Sequence, residues 1–307
     1  MEGRVIKSTG SWYAVEGEKG ALFDCRLKGK LKLEGAKTTN PIAVGDRVTF
    51  EVEDVQKMTA IINGVLPREN YIIRKSVHNT RHGSIIASNI DQALLIVTLA
   101  FPATSLGFID RFLVSAESFR IPVCLVFNKK DLMDEGYLKA YHQLSDIYQP
   151  LGYKTLLVSA LDVNDIEAVK DLLKNKTTLF SGHSGVGKST LINSIAPSIA
   201  QKTSEVSNFA QKGVHTTTFA EMFKIGENTY IIDTPGIKEL GLLDIEDEEL
   251  SHFFPEMRSL MGKCRFYNCT HTHEPGCAIE AAFAEGKIAE SRYKSYLSML
   301  DNEDNRR

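Results

Sequence analysis

Over the first 66 residues, apolar and polar positions alternate in short runs broken by Gly, Asp and Asn: RVIKS, SWYAVE, ALFDCRL, DRVTFEV and TAIING. A period of two with β-branched residues predicts half-buried strands. Five of them in so short a stretch suit a small barrel, either an OB-fold or an SH3-like barrel, which periodicity does not separate. From residue 91 the pattern changes. DQALLIVTLA, IPVCLVF, KTLLVSA and TTLFSG are near-continuous apolar runs, as expected of strands covered on both faces. Between them, SLGFIDRFLVSAESFR, a stretch around 134–150 and DIEAVKDLLKN have helical spacing. This alternation predicts a mostly parallel, doubly wound α/β sheet. FAEMFKI and TYIIDTPG, joined by the turn GEN, predict an antiparallel pair at one edge of that sheet. Beyond Gly241 the chain becomes acidic and helical, with AIEAAFAEG and AESRYKSYLSML as its clearest helices. The expected division is a barrel over 1–66, the α/β domain over 67–240 and a helical module over 241–307.

Composition agrees with packed globular domains: 307 residues, 43% hydrophobic and 24% charged, enough for about two domains and a small third module. No apolar run approaches the roughly 20 residues that span a bilayer. The start, MEGRVIKSTGSW, has no apolar stretch after its charges, so it does not read as a secretory signal. A cytoplasmic protein with no membrane contact is expected. The net charge of −3 argues against a general basic coat for nucleic acid, so any RNA contact must be local. Residues 67–90 carry four Lys/Arg against one Asp/Glu, and 68-RENYIIRKSVHNTRH-82 is the best candidate, with a solvated linker as the alternative. Of the five cysteines, Cys25 and Cys124 sit alone in apolar runs and read as core packing. The other three fall within 264–277. An odd, clustered set in a cytoplasmic-looking chain points to a metal rather than disulfides.

Four motifs carry the chemistry. GHSGVGKS, 182–189, fits G-x-x-x-x-G-K-[ST], with a β-branched strand before it and a helical run after it. Its glycines let backbone N–H groups wrap phosphates, and the helix start adds favourable partial charge. Gly182, His183, Ser184, Gly185, Val186, Gly187, Lys188, Ser189 and Thr190 are the phosphate-side candidates. Lys188 is expected to reach the β- and γ-phosphates and Ser189 to ligate Mg²⁺. The second motif, 128-NKKD-131, ends a buried strand, where α/β sheets place ligand loops. Asp131 can accept from the guanine N1–H and exocyclic amine together, a pair adenine does not offer. Asn128 is expected to contact the base and brace the phosphate loop, Lys129 to lay its stem across the base, and Lys130 completes the motif. Ser159 and Ala160 end a further strand and resemble the short loop that supports guanine recognition.

The third motif, 233-DTPG-236, places Asp233 to hold Mg²⁺ through water. The fourth, 212-KGVHTTT-218, is a Thr-rich loop in which Thr217 is expected to ligate Mg²⁺ when GTP is present. Ras-like GTPases follow the third motif with a water-orienting Gln. Position 237 is Ile, so intrinsic hydrolysis should be slow, with His215 the in-chain candidate for placing water. In an ordinary GTPase the order is phosphate loop, two switches, base reader. Here the base reader comes first, as in a circularly permuted domain, a rearrangement folds tolerate when termini lie close. The chain then runs from the second switch straight into the C-terminal module. There, 264-CRFYNCTHTHEPGC-277 gives C-x₄-C-x-H-x₅-C. Cys264, Cys269, His271 and Cys277 make a Cys₃His set suited to one tetrahedral structural Zn²⁺, with His273 the competing ligand.

A small barrel, base reader, phosphate loop, GVHTTT at 213–218, DTPG and the Cys₃His spacing, in this order, resemble the ribosome small-subunit-dependent GTPase A (RsgA) family over nearly the whole chain. The resemblance implies an OB-fold, GTP hydrolysis that is slow until stimulated by the small (30S) ribosomal subunit, contact with its rRNA, and a part in late maturation of that subunit, including release of an assembly factor. Mg²⁺ with GTP, one zinc ion and a monomer are implied with it. Two other classes are weighed. A P-loop ATPase or kinase would lack the guanine reader. A nucleotide-gated adaptor would act on a non-ribosomal protein partner.

Overall fold

A computed structural model describes residues 1–29, 41–75, 83–197, 220–233 and 245–301. The alternating runs of the first stretch form β1 (Glu2–Ser8), β2 (Tyr13–Glu16), β3 (Leu22–Leu27), β4 (Arg47–Asp54) and β5 (Thr59–Val65). Their inward positions, among them Val5, Tyr13, Val15, Phe23, Val48, Phe50 and Ile62, form one core. Strand order is β1-β2-β3-β5-β4, closed by a β1–β4 pairing, with β3 and β5 parallel. This closed five-stranded ring is the OB arrangement and decides between the two barrels.

The basic stretch after the barrel is neither a linker nor wholly a free cationic surface. It contains a two-stranded ribbon, β6 (Tyr71–Lys75) with β7 (Gly83–Ser88). Arg68 is fixed by the fully buried Asp46 of the barrel, which accepts from its Nε and Nη2 at 2.6 Å each, from Ser88 Oγ at 2.6 Å and from the Ala43 N–H at 2.8 Å. Residues 76–82 lie outside the described residues.

The continuous apolar runs form β8 (Gln92–Val97), β9 (Val123–Phe127), β10 (Lys154–Leu157) and β11 (Thr177–Ser181), joined by β12 (Glu221–Gly226) and β13 (Thr229–Asp233). Their order across the sheet is β10-β9-β8-β11-β13-β12, all parallel except β12. The helices α1 (Leu106–Ser118) and α2 (Glu135–Tyr148) have their apolar residues in one core, on one face of the sheet. The helices α3 (Val163–Leu173) and α4 (Lys188–Ile195) have theirs in a second core, on the other face. Ser105, Asp134 and Asp162 cap the first three helices, their side chains accepting first-turn N–H groups. The β12–β13 pair, expected at an edge, is not exposed there. β12 pairs onward with β1 at Lys7–Glu221, so the barrel covers that edge. Glu16 reinforces the seam, accepting from Lys224 Nζ at 3.0 Å and Tyr230 OH at 2.8 Å. Cys25 and Cys124 are buried as expected of core residues, and burial pushes both thiols up to about 12.

The C-terminal module contains α5 (Pro255–Arg258), α6 (Ala278–Ala284) and α7 (Glu290–Leu300) around a core that includes Val114 of α1. Arg292 of α7 is fully buried at that junction. Its Nη1 donates to Asp110 Oδ1 of α1 at 2.6 Å, and its Nε donates to Glu256 Oε1 at 2.7 Å. Tyr148 OH shares the same Asp110 oxygen at 2.8 Å. Burial opposes the Arg292 charge, but Asp110 and Glu256 outweigh it and hold the guanidinium protonated. Arg292→Ala leaves two buried carboxylates without their cation, so a loss of about 3–5 kcal/mol in urea unfolding is expected. A loss below about 1 kcal/mol, the level of a surface pair, would show that the network does not hold the module. Among the described residues no helix is long and apolar enough to cross a membrane.

Candidate functional site: base and phosphate loops, and a Cys₃His centre

The C-terminal ends of the parallel strands bring the two principal motifs together. The phosphate loop follows β11 and runs into α4, whose first residue is Lys188. Two glycines there are required by space as well as by φ. A Cβ on Gly182 (φ +151°) would lie 2.4 Å from the Ile96 carbonyl oxygen, and one on Gly187 (φ +90°) would lie 2.4 Å from Asn128 Nδ2. Val186 is fully buried, while Ser184, Gly185, Ser189 and Thr190 are exposed. His183 lies on the Phe108 ring, with centroids 3.8 Å apart.

Asn128 joins the halves of the site. It is almost completely buried, donates from Nδ2 to the Val186 carbonyl at 2.8 Å and accepts at Oδ1 from the Ala160 N–H at 3.2 Å. One amide thus ties the base reader, the phosphate loop and the 159–160 loop. Ser159 Oγ donates to Asp131 Oδ1 at 2.6 Å and accepts from the Leu161 N–H at 3.2 Å, which fixes the carboxylate. Ser194 of α4 donates to the Ala160 carbonyl at 2.8 Å. Lys130 turns outward to Asp165, 3.3 Å away, as a half-exposed pair. The structure therefore ties Lys130 to the α3 carboxylate that also holds the Ser159 N–H.

Asp233 ends β13 directly beside Phe180 of β11, next to the strand that leads into the phosphate loop. His215, Thr217, Thr234, Pro235, Gly236 and Ile237 lie outside the described residues. Motif reading overlooked two contributors. Asp165 accepts from the Ser159 N–H at 2.8 Å and supports the 159–160 loop. The loop after β8 reaches Lys129, whose Nζ donates to the Phe101 carbonyl at 2.6 Å. The available signal for that loop was its place at the end of a central parallel strand.

In the C-terminal module, the ligand atoms of Cys264, Cys269, His271 and Cys277 all lie within 4.8 Å of one another. Bonds of about 2.3 Å to sulfur and 2.0–2.1 Å to nitrogen in a tetrahedron need donors about 3.5–3.8 Å apart. The observed His271 Nδ1 to Sγ separations of 3.4 Å (Cys277) and 3.7 Å (Cys264) suit it. His271 Nε2 lies 3.3 Å from Ser251 Oγ, leaving Nδ1 for the metal. Burial lowers the His271 pKa and favours its neutral, ligating form. N–H groups of Ala278 and Glu280 donate to the Cys264 and Cys277 sulfurs, each at 3.4 Å. Burial alone would raise Glu274. Hydrogen bonds from Thr270 and from the Thr272 and His273 N–H groups outweigh it and hold the carboxyl well below the ordinary range. That carboxylate ties the ligand loop together. His273 is exposed, bonded to Thr272 Oγ1 at 2.7 Å and outside the cluster, so the competition is decided for His271.

Comparison with known proteins agrees with this architecture. The sequence pattern described as RsgA GTPase matches residues 65–243, and that described as RsgA N-terminal domain matches residues 2–61. The chain belongs to the RsgA GTPase family. It is 53% identical over 307 residues to "Small ribosomal subunit biogenesis GTPase RsgA" of Cytophaga hutchinsonii, covering 100% of both chains. It is 50% identical to "Small ribosomal subunit biogenesis GTPase RsgA 2" of Bacteroides thetaiotaomicron, covering 99% of this chain and 97% of that one. Among solved structures it is similar to YjeQ from Thermotoga maritima, with TM-score 0.79, 36% identity, and 100% and 99% of the two chains covered. It is also similar to YloQ, described as a circularly permuted GTPase, with TM-score 0.74, 28% identity, and 100% and 96% covered. As a member of the RsgA family, the chain is a GTP hydrolase with an N-terminal OB-type barrel, a circularly permuted GTPase domain and a C-terminal Cys₃His cluster compatible with zinc.

Proposed function

We propose that this RsgA GTPase is a cytoplasmic, monomeric factor that binds the small ribosomal subunit and its rRNA. There it hydrolyses GTP slowly until the subunit stimulates it. It assists late maturation of the subunit, including release of an assembly factor. Residues 1–66, 67–240 and 241–307 are its working parts. The observation that carries the nucleotide half is the Asn128 side chain, which spans the base reader and the phosphate loop as a bound guanine nucleotide requires. The ribosomal half is supported by full-length similarity to relatives named for small-subunit biogenesis.

In this reading Asp131 selects guanine, Lys129 covers the base, and the N–H groups of 182–190 with Lys188 neutralise the phosphates. Ser189 and Asp233, with Thr217, would hold Mg²⁺, which would supply charge neutralisation at the phosphates. His215 is the proposed water-positioning group, standing in for the Gln that Ile237 replaces. Cys264, Cys269, His271 and Cys277 would hold zinc in a closed, structural site.

The test is GTP turnover, with an ATP control, with and without purified small subunits. Stimulation confined to GTP is expected. Slow GTP turnover unchanged by subunits would keep the GTPase but point to a nucleotide-gated adaptor with another partner. Equal use of ATP would remove the guanine reader.

A further inference from the structure

We propose that segment 98–108, which none of the nucleotide motifs contains, is a positioning strap that sets the guanine-reading loop against the phosphate loop. The inference rests on the nucleotide reading of 128–131 and 182–189. The segment follows β8, the strand between those that lead into the two loops, and it touches both. On the base side, the Phe101 carbonyl accepts from Lys129 Nζ at 2.6 Å. On the phosphate side, the Phe108 ring carries His183, and a Cβ at Gly185 would lie 3.3 Å from Pro102 Cδ. With its far end held by the Phe101 carbonyl, the Lys129 stem loses freedom to swing away from a base.

The strap is held in shape by its own threonines. The Thr98 N–H donates to Thr104 Oγ1 at 3.1 Å, and the Thr104 N–H returns to the Thr98 carbonyl at 2.8 Å. Thr98 Oγ1 donates to the Pro102 carbonyl. Phe101 needs this closure. It has φ +40°, a left-handed backbone rare for an aromatic residue, yet its side chain is 79% exposed and gains little from burial. A strained backbone that presents its carbonyl to a ligand-reading lysine is positioning geometry. It supports binding of the whole nucleotide. A contact made equally in the ground and transition states should leave kcat unchanged, and base choice, which Asp131 makes, should not alter.

The experiment compares the full chain with Thr98→Val/Thr104→Val, which removes both hydroxyls at nearly constant shape, and with Thr98→Ser/Thr104→Ser, which keeps them. GDP and IDP affinities are measured by calorimetry, and KM and kcat with GTP. The Val pair is expected to weaken GDP and IDP together, by about tenfold, the worth of one or two hydrogen bonds. KM should rise while kcat at saturating GTP holds. The Ser pair should restore parental affinity. Phe108→Leu, which removes the ring beneath His183 and keeps an apolar side chain, should also weaken GDP, and it decides the matter if the Val pair does not fold. Parental GDP affinity in both the Val pair and Phe108→Leu would overturn the strap alone. A changed GDP-to-IDP ratio would overturn it too, by moving the effect to base reading. A parent chain that binds no GDP would overturn the nucleotide reading and the strap with it.

Discussion

Asp131→Asn is expected to turn the guanine reader into a xanthine reader, lowering kcat/KM for GTP by about a thousandfold or more while XTP becomes the better substrate. The carboxylate offers two acceptors to two guanine donors, N1–H and the exocyclic amine. An amide keeps one acceptor and replaces the other by an NH₂ donor. Facing guanine, that donor meets the exocyclic amine, and a buried donor pair without an acceptor is costly. Xanthine carries a carbonyl at the same carbon and accepts from it. The structure indicates which way the amide would turn. Ser159 Oγ donates to Asp131 Oδ1 at 2.6 Å, so the amide oxygen would take that bond and the NH₂ would face the ligand. Steady-state kinetics with both nucleotides checks this. A variant that still prefers GTP would remove Asp131 from base recognition and leave the phosphate loop as the only supported part of the site.

Much of this architecture was legible in the sequence because each level of pattern carried its own physical constraint. The period-two runs gave the five barrel strands. The continuous apolar runs QALLIV and VCLVF gave strands with every residue buried. The motifs, being local in sequence, could be placed on strand ends directly. What escaped was non-local. Nothing in the alternation of FAEMFKI says that β12 has β1, more than 200 residues earlier in the chain, on its outer side. The ribbon did not show as strands because its β-branched residues are interrupted by Arg, Lys and His, and Arg68 resembles a free cation, open to RNA or solvent, until Asp46 is seen buried beneath it. Arg292 gave no signal at all, since a lone Arg in a polar helix ordinarily reads as surface. The strap escaped for another reason. Its decisive contact is made by a backbone carbonyl, and residue type does not encode where a carbonyl points.

Chelation of the zinc proposed at the Cys₃His cluster is expected to unfold the C-terminal module while the GTPase domain keeps its fold. The helices of the module, Pro255–Arg258, Ala278–Ala284 and Glu290–Leu300, have 4, 7 and 11 residues, below the about 12–15 residues at which isolated helices become even marginal. Their packing depends on the ligand loop itself: Cys269 and Cys277 are part of the core, and Tyr293 and Tyr296 donate to the His271 and Thr270 carbonyls at 2.7 Å each. Structural zinc supplies about 10–16 kcal/mol in zinc-finger peptides, as much as the whole stability of an ordinary domain, about 5–15 kcal/mol. Burial raises the Cys269 and Cys277 thiols, so without the ion they take up protons and offer no electrostatic tie in its place. Cys277→Ser, which removes one ligand and the sulfur that accepts the Glu280 N–H, should act in the same direction. Limited proteolysis reads the outcome. Cleavage within 245–301 should rise sharply on chelation, while GDP affinity changes little, because the residues that Asn128 gathers lie outside the core containing Cys269 and Cys277. Unchanged protection after confirmed metal loss would assign the stability of the module to the Arg292 network and its helix packing. The four ligands would then need a role other than folding.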